Sequence, residues 1–202
     1  MAGVRQVFRP SFGRALTIFV AAVCGVSAAG LTATNGSGSA ARALPWLALV
    51  VGACWATFWR PEVVVEDSGV RLVNVFRTID LPWPSIRSID TKWALTLVTE
   101  YGQFTAWAAP APGMHTAVRA SRDDLRRVPR TARSAEGIRP GDLPATESGS
   151  AALLIRTRWQ KLADAGHLDS PKLEHEAAPV VWHRYTMLAA VLLVVAAVAG
   201  LR

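Results

Sequence analysis

Histidines beside carboxylates come closest to a metal-binding or acid–base pattern in this sequence. The chain has four histidines: His115, His167, His175 and His183. Only His175 lies between two acids, in Glu174-His175-Glu176, and a zinc-binding helix would need a second histidine four residues away. A G-x-S-x-G nucleophile motif is also missing. The sequence therefore predicts no catalytic residues, no metal and no cofactor, and we interpret Glu174-His175-Glu176 as part of a solvated tether.

A series of arginines forms the main charge cluster of the chain. Its members are Arg119, Arg122, Arg126, Arg127, Arg130 and Arg133. An arginine near the cytoplasmic leaflet of a bilayer contributes about 1 kcal/mol of attraction to anionic lipid headgroups. The alternative is a solvated helix face that Asp123 and Asp124 partly neutralise. Contact with anionic lipid is thus one hypothesis for this cluster, and the solvated face stays open beside it.

Three tryptophans, Trp83, Trp93 and Trp107, lie in a segment with the composition of strands. Together they would suit an aromatic ligand cage, but tryptophans at sheet positions more often pack in a core or along an edge. We therefore favour packing, and Trp83→Ala is expected to act as a folding defect.

The net charge of +7 is distributed in a way that does not suit nucleic acid. All 15 acidic residues lie between Glu62 and Glu176, where basic residues nearly balance them, and the excess lies mainly on Arg5, Arg9 and Arg14. A basic amino terminus beside an apolar stretch indicates a membrane-flanking position rather than a nucleic-acid groove. The 19 arginines against 3 lysines, with abundant alanine, indicate a GC-rich, actinobacterial genome.

Three uncharged apolar stretches are each close to the roughly 20 residues that cross a bilayer core. They are residues 15–33, 43–59 and 185–201, with aromatic residues near their ends. Because cytoplasmic flanks carry the excess of arginine, residues 1–14 and 60–184 are predicted to be cytoplasmic. The predicted arrangement is a multi-pass protein of a bacterial cell membrane, with a transmembrane hairpin at 15–59 and a third transmembrane helix at 185–202. A cleaved signal peptide in place of the first helix, or buried helices of a soluble protein, are the alternatives.

The segment between these stretches has short β-type runs followed by helical patterns. Residues 60–113 are predicted to form an antiparallel β domain, in which Gly69, Pro82, Trp83 and Ile86 determine the fold. The three-residue spacing of Ile86 and Ile89 favours a single turn there over a strand. The remaining assignments are a helix at 114–128, a linker at 129–150, an amphipathic helix at 150–166 and a tether at 167–184. The helix at 150–166 carries the stripe Ile155, Trp159 and Leu162 and ends before Gly166.

Several of these residues also occur in an order that is typical of a known protein family. Asp67-Ser68-Gly69-Val70-Arg71, Asn74, Arg77, Leu81-Pro82-Trp83, Ile86 and Ile89 resemble the bacterial PH-like domain family, in particular actinobacterial membrane proteins with one such domain. The stretch from Ile155 to Leu168 is similar to the segment that succeeds the domain in that family. The resemblance implies a PH-like β-barrel or sandwich finished by a helix, with no catalytic residues.

The predicted fold is thus three transmembrane helices with a cytoplasmic PH-like antiparallel β domain followed by helices. The predicted function is a membrane-tethered interaction module, a non-catalytic scaffold or accessory protein that binds a protein segment or anionic lipid at the inner face of the membrane. An exposed edge strand would suit a peptide. The alternative is an accessory subunit of an envelope transport or biosynthesis complex whose membrane helices carry the function. The apolar stretches contain no ionisable side chain of the kind that marks a transport pathway, which weighs against transport by this chain alone.

Overall fold

The computed structural model describes residues 5–111, 140–143, 146–168 and 176–199, and it divides into two compact units. Met1–Arg9 and Pro61–Val181 belong to one unit, here called the β unit. Pro10–Arg60 and Trp182–Arg202 belong to the other, here called the helical unit. The predicted helix at 114–128 lies outside the described residues.

The β unit contains two antiparallel sheets. Five strands have the order β1-β2-β3-β4-β8 in the first sheet, and three have the order β5-β6-β7 in the second. The strands are β1 Gln6–Phe8, β2 Glu62–Val65, β3 Gly69–Val73, β4 Arg77–Pro82, β5 Ile86–Asp90, β6 Ala94–Thr99, β7 Gly102–Pro110 and β8 Val180–Trp182.

Buried apolar residues of β2, β3 and β4 build one face of the core. Val63, Leu72 and Ile79 are aligned across these three strands, and each is fully buried. Leu95 and Leu97 of β6 are equally buried on the second sheet and belong to the same hydrophobic cluster. The inward-facing apolar residues of the two sheets therefore meet between them.

The corner between the sheets is built at Pro82 and Trp83. Gly69 is paired with Pro82, and a Cβ added to Gly69 would lie 2.2 Å from the carbonyl oxygen of Leu81, so only glycine fits this approach. A single 3-10 turn, Trp83–Ser85, comes after β4. The Trp83 ring is buried, and its Nε1 donates to the carbonyl oxygen of Glu66 at 3.0 Å.

The prediction of a turn at Ile86 to Ile89 is wrong, because these residues belong to strand β5. The pairing of β5 with β6 shifts between Ile86 and Ser88, which makes Arg87 the extra residue of a β-bulge. The bulge brings Ile86 and Ile89, three positions apart, towards the same core, where Ile86 is buried and Ile89 packs against the cluster. An apolar spacing of three is therefore compatible with a bulged strand.

Helix α3, Glu147–Asp164, closes the β unit. It begins earlier than the predicted position 150, because Thr146 caps it by accepting a hydrogen bond from the amide of Gly149 at 3.0 Å. Ile155 is buried, and Trp159 packs against the core cluster, as the stripe predicts. The helix ends before Gly166, which has a φ of +74°, in agreement with the sequence.

The assignment of 129–150 to a linker also needs correction in its described part. Pro140–Asp142 form a 3-10 turn, and Asp142 and Leu143 are buried. A Cβ added to Gly141 would lie 2.1 Å from the carbonyl oxygen of Thr91, so this turn packs directly against the β5–β6 connection. Polar composition concealed these contacts, which depend on residues about 50 positions away in the chain.

Two strands come from regions that were predicted to be an amino-terminal tail and a tether. In β1, Val7 pairs with Val64 of β2, and β8 lies beside β4, where the Asp80 amide donates to the Pro179 carbonyl oxygen at 3.0 Å. The sheet is therefore assembled from three separate stretches of the chain. Strands of three residues have too little periodicity to be predicted from sequence.

The helical unit contains α1 Ser11–Asn35, α2 Ser37–Cys54 with a π-helical turn Trp55–Trp59, and α4 Arg184–Ala199. Within the described residues, two helices, Ser11–Asn35 and Ser37–Trp59, are long and apolar enough to cross a membrane, rather than the three predicted. The described part of α4 has 16 residues, about 24 Å of helix against a bilayer core of about 30 Å. Gly36 alone separates α1 from α2, with a φ of +78°, so the residues between the two predicted apolar stretches, 34–42, are almost entirely helical.

Candidate binding groove beside strand β5

The arginine cluster of the sequence cannot be placed, because Arg119 to Arg133 lie outside the described residues. Gly69, Pro82, Trp83 and Ile86 are all described, and they lie at the corner between the two sheets. Their close contacts and burial favour a structural role, although their importance for folding stays a prediction.

The three tryptophans do not form a cage. Trp83 is 3 % exposed and belongs to the core, whereas Trp93 is 82 % exposed and Trp107 is 57 % exposed. Trp83 therefore packs in the core, whereas Trp93 and Trp107 lie outside it, and their packing along an edge stays a prediction. Trp93 immediately precedes β6, which begins at Ala94.

Metal-binding geometry is not found in the part of the chain that the structure describes. There, no group of three or more histidine, cysteine, aspartate or glutamate side chains comes together. Glu174 and His175 fall outside the described residues. The remaining candidates for a binding site are clefts in the β unit.

One groove lies beside strand β5, which the strand order places at an edge of its sheet. The groove has a volume of about 320 Å³. It is lined by Arg87, Ser88 and Ile89 of β5 and by Arg156 and Trp159 of α3. In such a groove the edge strand offers unpaired backbone groups and the helix offers side chains. This is the arrangement that accepts an extended peptide.

The helix side of this groove is held by a buried ion pair. Arg156 Nη1 donates to Asp142 Oδ1 at 2.7 Å, and Arg156 Nη2 donates to the carbonyl oxygen of Ile89 at 3.1 Å. The same Asp142 oxygen accepts from the Thr91 hydroxyl at 2.7 Å. Because Arg156 occupies the Ile89 carbonyl, the open part of the β5 edge lies towards Arg87 and Ser88.

The polar side chains of the groove differ in whether other residues of the chain satisfy their hydrogen-bonding capacity. Arg87 forms a two-pronged hydrogen-bonded pair with Glu100, and this contact raises the pKa of Arg87 and holds the pKa of the Glu100 carboxyl below its usual range. Trp159 Nε1 is buried and has no hydrogen-bond partner among the described residues. A bound segment with a carbonyl or carboxylate oxygen at this position would satisfy that donor.

A second cleft, of about 440 Å³, lies on the five-stranded sheet. Its central cation, Arg71, is paired with Asp80 at 2.5 Å and approaches Glu66 at 3.6 Å. The hydrogen bond to Asp80 raises the pKa of Arg71 above its ordinary value. The charged groups of this cleft pair with one another, as those of the groove beside β5 do. Its described lining residues, however, include no buried polar atom without a partner, in contrast to Trp159 Nε1 beside β5.

Sequence reasoning found part of this groove. Trp159 belongs to the predicted helical stripe, but Arg156 and the β5 edge were not singled out. The signal in the sequence for this missed feature was the position of Arg156 directly after Ile155, a buried residue of the helical stripe. A cation that is buried beside such a residue needs a fixed partner.

The fold and the groove together define a small antiparallel β domain, closed by one helix, whose features are those of a binding module. A family model described as the bacterial PH domain matches residues 60–164, about half of the chain. The chain belongs to this family of bacterial PH-like domains, whose members are generally non-catalytic interaction modules. No curated protein and no solved structure matches the chain.

Proposed function

We propose that this protein is a membrane-tethered PH-like interaction module that binds a short extended segment of a partner protein in the groove beside β5. The observation that carries the proposal is the open edge of β5 beside Trp159, whose indole N–H lacks a partner among the described residues. Peptide backbone pairs with such an edge, and a peptide oxygen suits such a donor. The protein is then a scaffold or accessory protein of the cell envelope rather than an enzyme.

Tethering to the membrane is supported by the helical unit. Of the apolar windows in Ser11–Asn35 and Ser37–Trp59, 6 % and 0 % of the residues are buried. Large side chains such as Phe12, Phe19 and Val26 are at least 66 % exposed. Apolar surface of this extent is uncommon on monomeric soluble proteins, and a bilayer would cover it. We propose that the β unit and the amino terminus face the cytoplasm, in line with the distribution of arginine.

Contact between the cluster Arg119 to Arg133 and anionic lipid headgroups belongs to the same proposal. PH domains bind proteins or lipids, and six arginines in a short stretch suit an anionic surface. This contact would orient the module rather than anchor it.

Site-specific photo-crosslinking tests the groove. A photoreactive amino acid is placed at Ser88, on the open part of β5, or at Gln103, an exposed position on β7 that serves as the control. In native membranes we expect a discrete crosslinked partner from position 88 and none from position 103. Trp159→Phe, which keeps most of the ring volume but removes the N–H, should reduce the yield at position 88. Equal crosslinking from both positions would reject the groove as the binding site.

A further inference from the structure

The first turns of α1 pack closely against the end of α2 in the helical unit. A Cβ added to Gly13 would lie 2.4 Å from the carbonyl oxygen of Phe58. One turn later, the Thr17 hydroxyl bonds to the carbonyl oxygen of Gly13 at 2.8 Å and lies 3.4 Å from that of Cys54. Small residues four apart allow this close approach of the two helices. The start of α1 and the π-helical turn Trp55–Trp59 therefore lie side by side.

Two arginines stack on tryptophans at this end of the helical unit. The guanidinium carbon of Arg14 lies 5.5 Å from the ring centroid of Trp59, and that of Arg60 lies 5.8 Å from the ring centroid of Trp55. Arg60 Nη1 also donates to the Thr186 hydroxyl in the first turn of α4 at 2.7 Å. Three helix ends thus meet around two guanidinium groups.

The charge of these arginines is not neutralised within the helical unit. Residues 10–60 and 182–202 contain no aspartate or glutamate at all. Neither Arg14 nor Arg60 forms a salt bridge with any residue that the structure describes. Arg14 Nε is buried and lacks a hydrogen-bond partner within the same residues. Two cations stacked on tryptophans of the same helical turn, at one end of apolar helices and without an anion among the described residues, call for an anionic ligand from outside the chain.

We propose that Arg14 and Arg60, each stacked on a tryptophan, bind the phosphate of an anionic phospholipid headgroup. This inference rests on the proposed membrane insertion and adds a lipid site on the helical unit, separate from the groove beside β5. The planar guanidinium matches phosphate oxygens, and tryptophan favours the depth of the headgroups. A phospholipid is the fitting source, because the site lies at the ends of helices whose apolar surfaces are uncovered.

Reconstitution of the full chain into nanodiscs tests the site. Discs contain either phosphatidylcholine alone or phosphatidylcholine with a minor fraction of phosphatidylglycerol, and native mass spectrometry measures which lipid stays bound after release. We expect enrichment of phosphatidylglycerol over its share in the disc. The double variant Arg14→Gln/Arg60→Gln should lower that enrichment, by about fivefold for each arginine.

The chain offers a matched control in Arg42, an exposed arginine near the start of α2 and therefore at the other end of that helix. Arg42→Gln should leave the enrichment unchanged, and a decrease equal to that of the double variant would overturn the site in favour of general charge attraction. Soluble glycerol phosphate at millimolar concentration should not compete with the lipid. Displacement by it would identify a free-phosphate site instead.

The outcomes separate this inference from the proposed function. Co-elution of the chain with nanodiscs reports membrane insertion by itself, and its absence overturns both proposals. Insertion without arginine-dependent enrichment overturns only the lipid site. Thermal unfolding followed by circular dichroism shows whether the variants keep the fold. If the glutamine variants do not keep it, the single variants Arg14→Lys and Arg60→Lys, which keep the charge, provide a second measurement of the lipid enrichment.

Discussion

Removal of Asp142 should destabilise the β unit strongly. Its carboxylate accepts from Arg156 Nη1 and from the Thr91 hydroxyl, each at 2.7 Å, and the Asp142 and Arg156 side chains are only 3 % and 10 % exposed. In Asp142→Ala the Arg156 guanidinium keeps, among the described residues, the Ile89 carbonyl as its acceptor. Breaking a buried ion pair by removing one partner costs about 3–5 kcal/mol, because an uncompensated charge stays in the interior.

Hydrogen exchange of the full chain in detergent micelles measures this change. A loss of about 3–5 kcal/mol should speed exchange of slowly exchanging β6 amides, such as that of Leu97, which pairs with both neighbouring strands, by roughly two to more than three orders of magnitude. Gln160→Ala, an exposed position on the same helix, is the control and should change stability by less than about 0.5 kcal/mol. The double variant Asp142→Leu/Arg156→Met should recover much of the loss, since apolar replacements of a whole pair are often neutral.

Two results would refute this reasoning. If Asp142→Ala exchanged at the rate of the wild type, the carboxylate would not be holding the turn Pro140–Asp142 against the sheet. If the double variant were as unstable as Asp142→Ala, the contribution of Asp142 would be independent of Arg156. In the second case the Thr91 hydroxyl bond alone would have to account for the effect.

Three further predictions concern the corner and the surface of the β unit. Gly69→Ala should lower thermal stability by about 1–3 kcal/mol or more, because its Cβ would overlap backbone of β4; an unchanged melting temperature contradicts the close contact. Trp83→Ala should cost about 3–5 kcal/mol in urea unfolding, whereas Trp93→Ala, at an exposed position, should cost less than about 0.5 kcal/mol, and similar values for both would reject the assigned core. Glu100→Gln should lose stability at neutral pH, because the hydrogen bond from Arg87 lowers the pKa of the native carboxyl; that contribution is present above the unfolded-state pKa and is lost as pH falls through the native one, so the two proteins should converge in acid melting curves.

The parts of the fold that the sequence predicts are those with local signals. The turn before Gly69 and the Pro82-Trp83 corner define the β3–β4 hairpin within about 20 residues of chain. The stripe that includes Trp159 defines the buried face of α3, and Gly166 defines its end. In each case the residue type carries its own conformational or packing preference, so no distant contact is needed to infer the element.

The features that sequence reasoning missed depend on distant partners. β1 becomes a strand because Val7 aligns with Val64, more than 50 residues later, and three residues give no measurable alternation. The buried role of Asp142 depends on Thr91 and Arg156, which no spacing rule connects. The β-bulge at Arg87 conceals the inward direction of Ile89. The candidate groove beside β5 combines the last two features, so only its Trp159 side was accessible to prediction.

The family segment and the folded sheet do not coincide, and this affects how binding should be measured. The bacterial PH domain match covers residues 60–164, whereas the five-stranded sheet takes its two edge strands from Gln6–Phe8 and Val180–Trp182. A fragment limited to the match would therefore expose both sides of the β2-β3-β4 core as new edges. New edges recruit peptides and other chains without specificity. Binding by such a fragment would report its own unpaired strands, and the full chain is the form in which the β5 edge can be compared with the others.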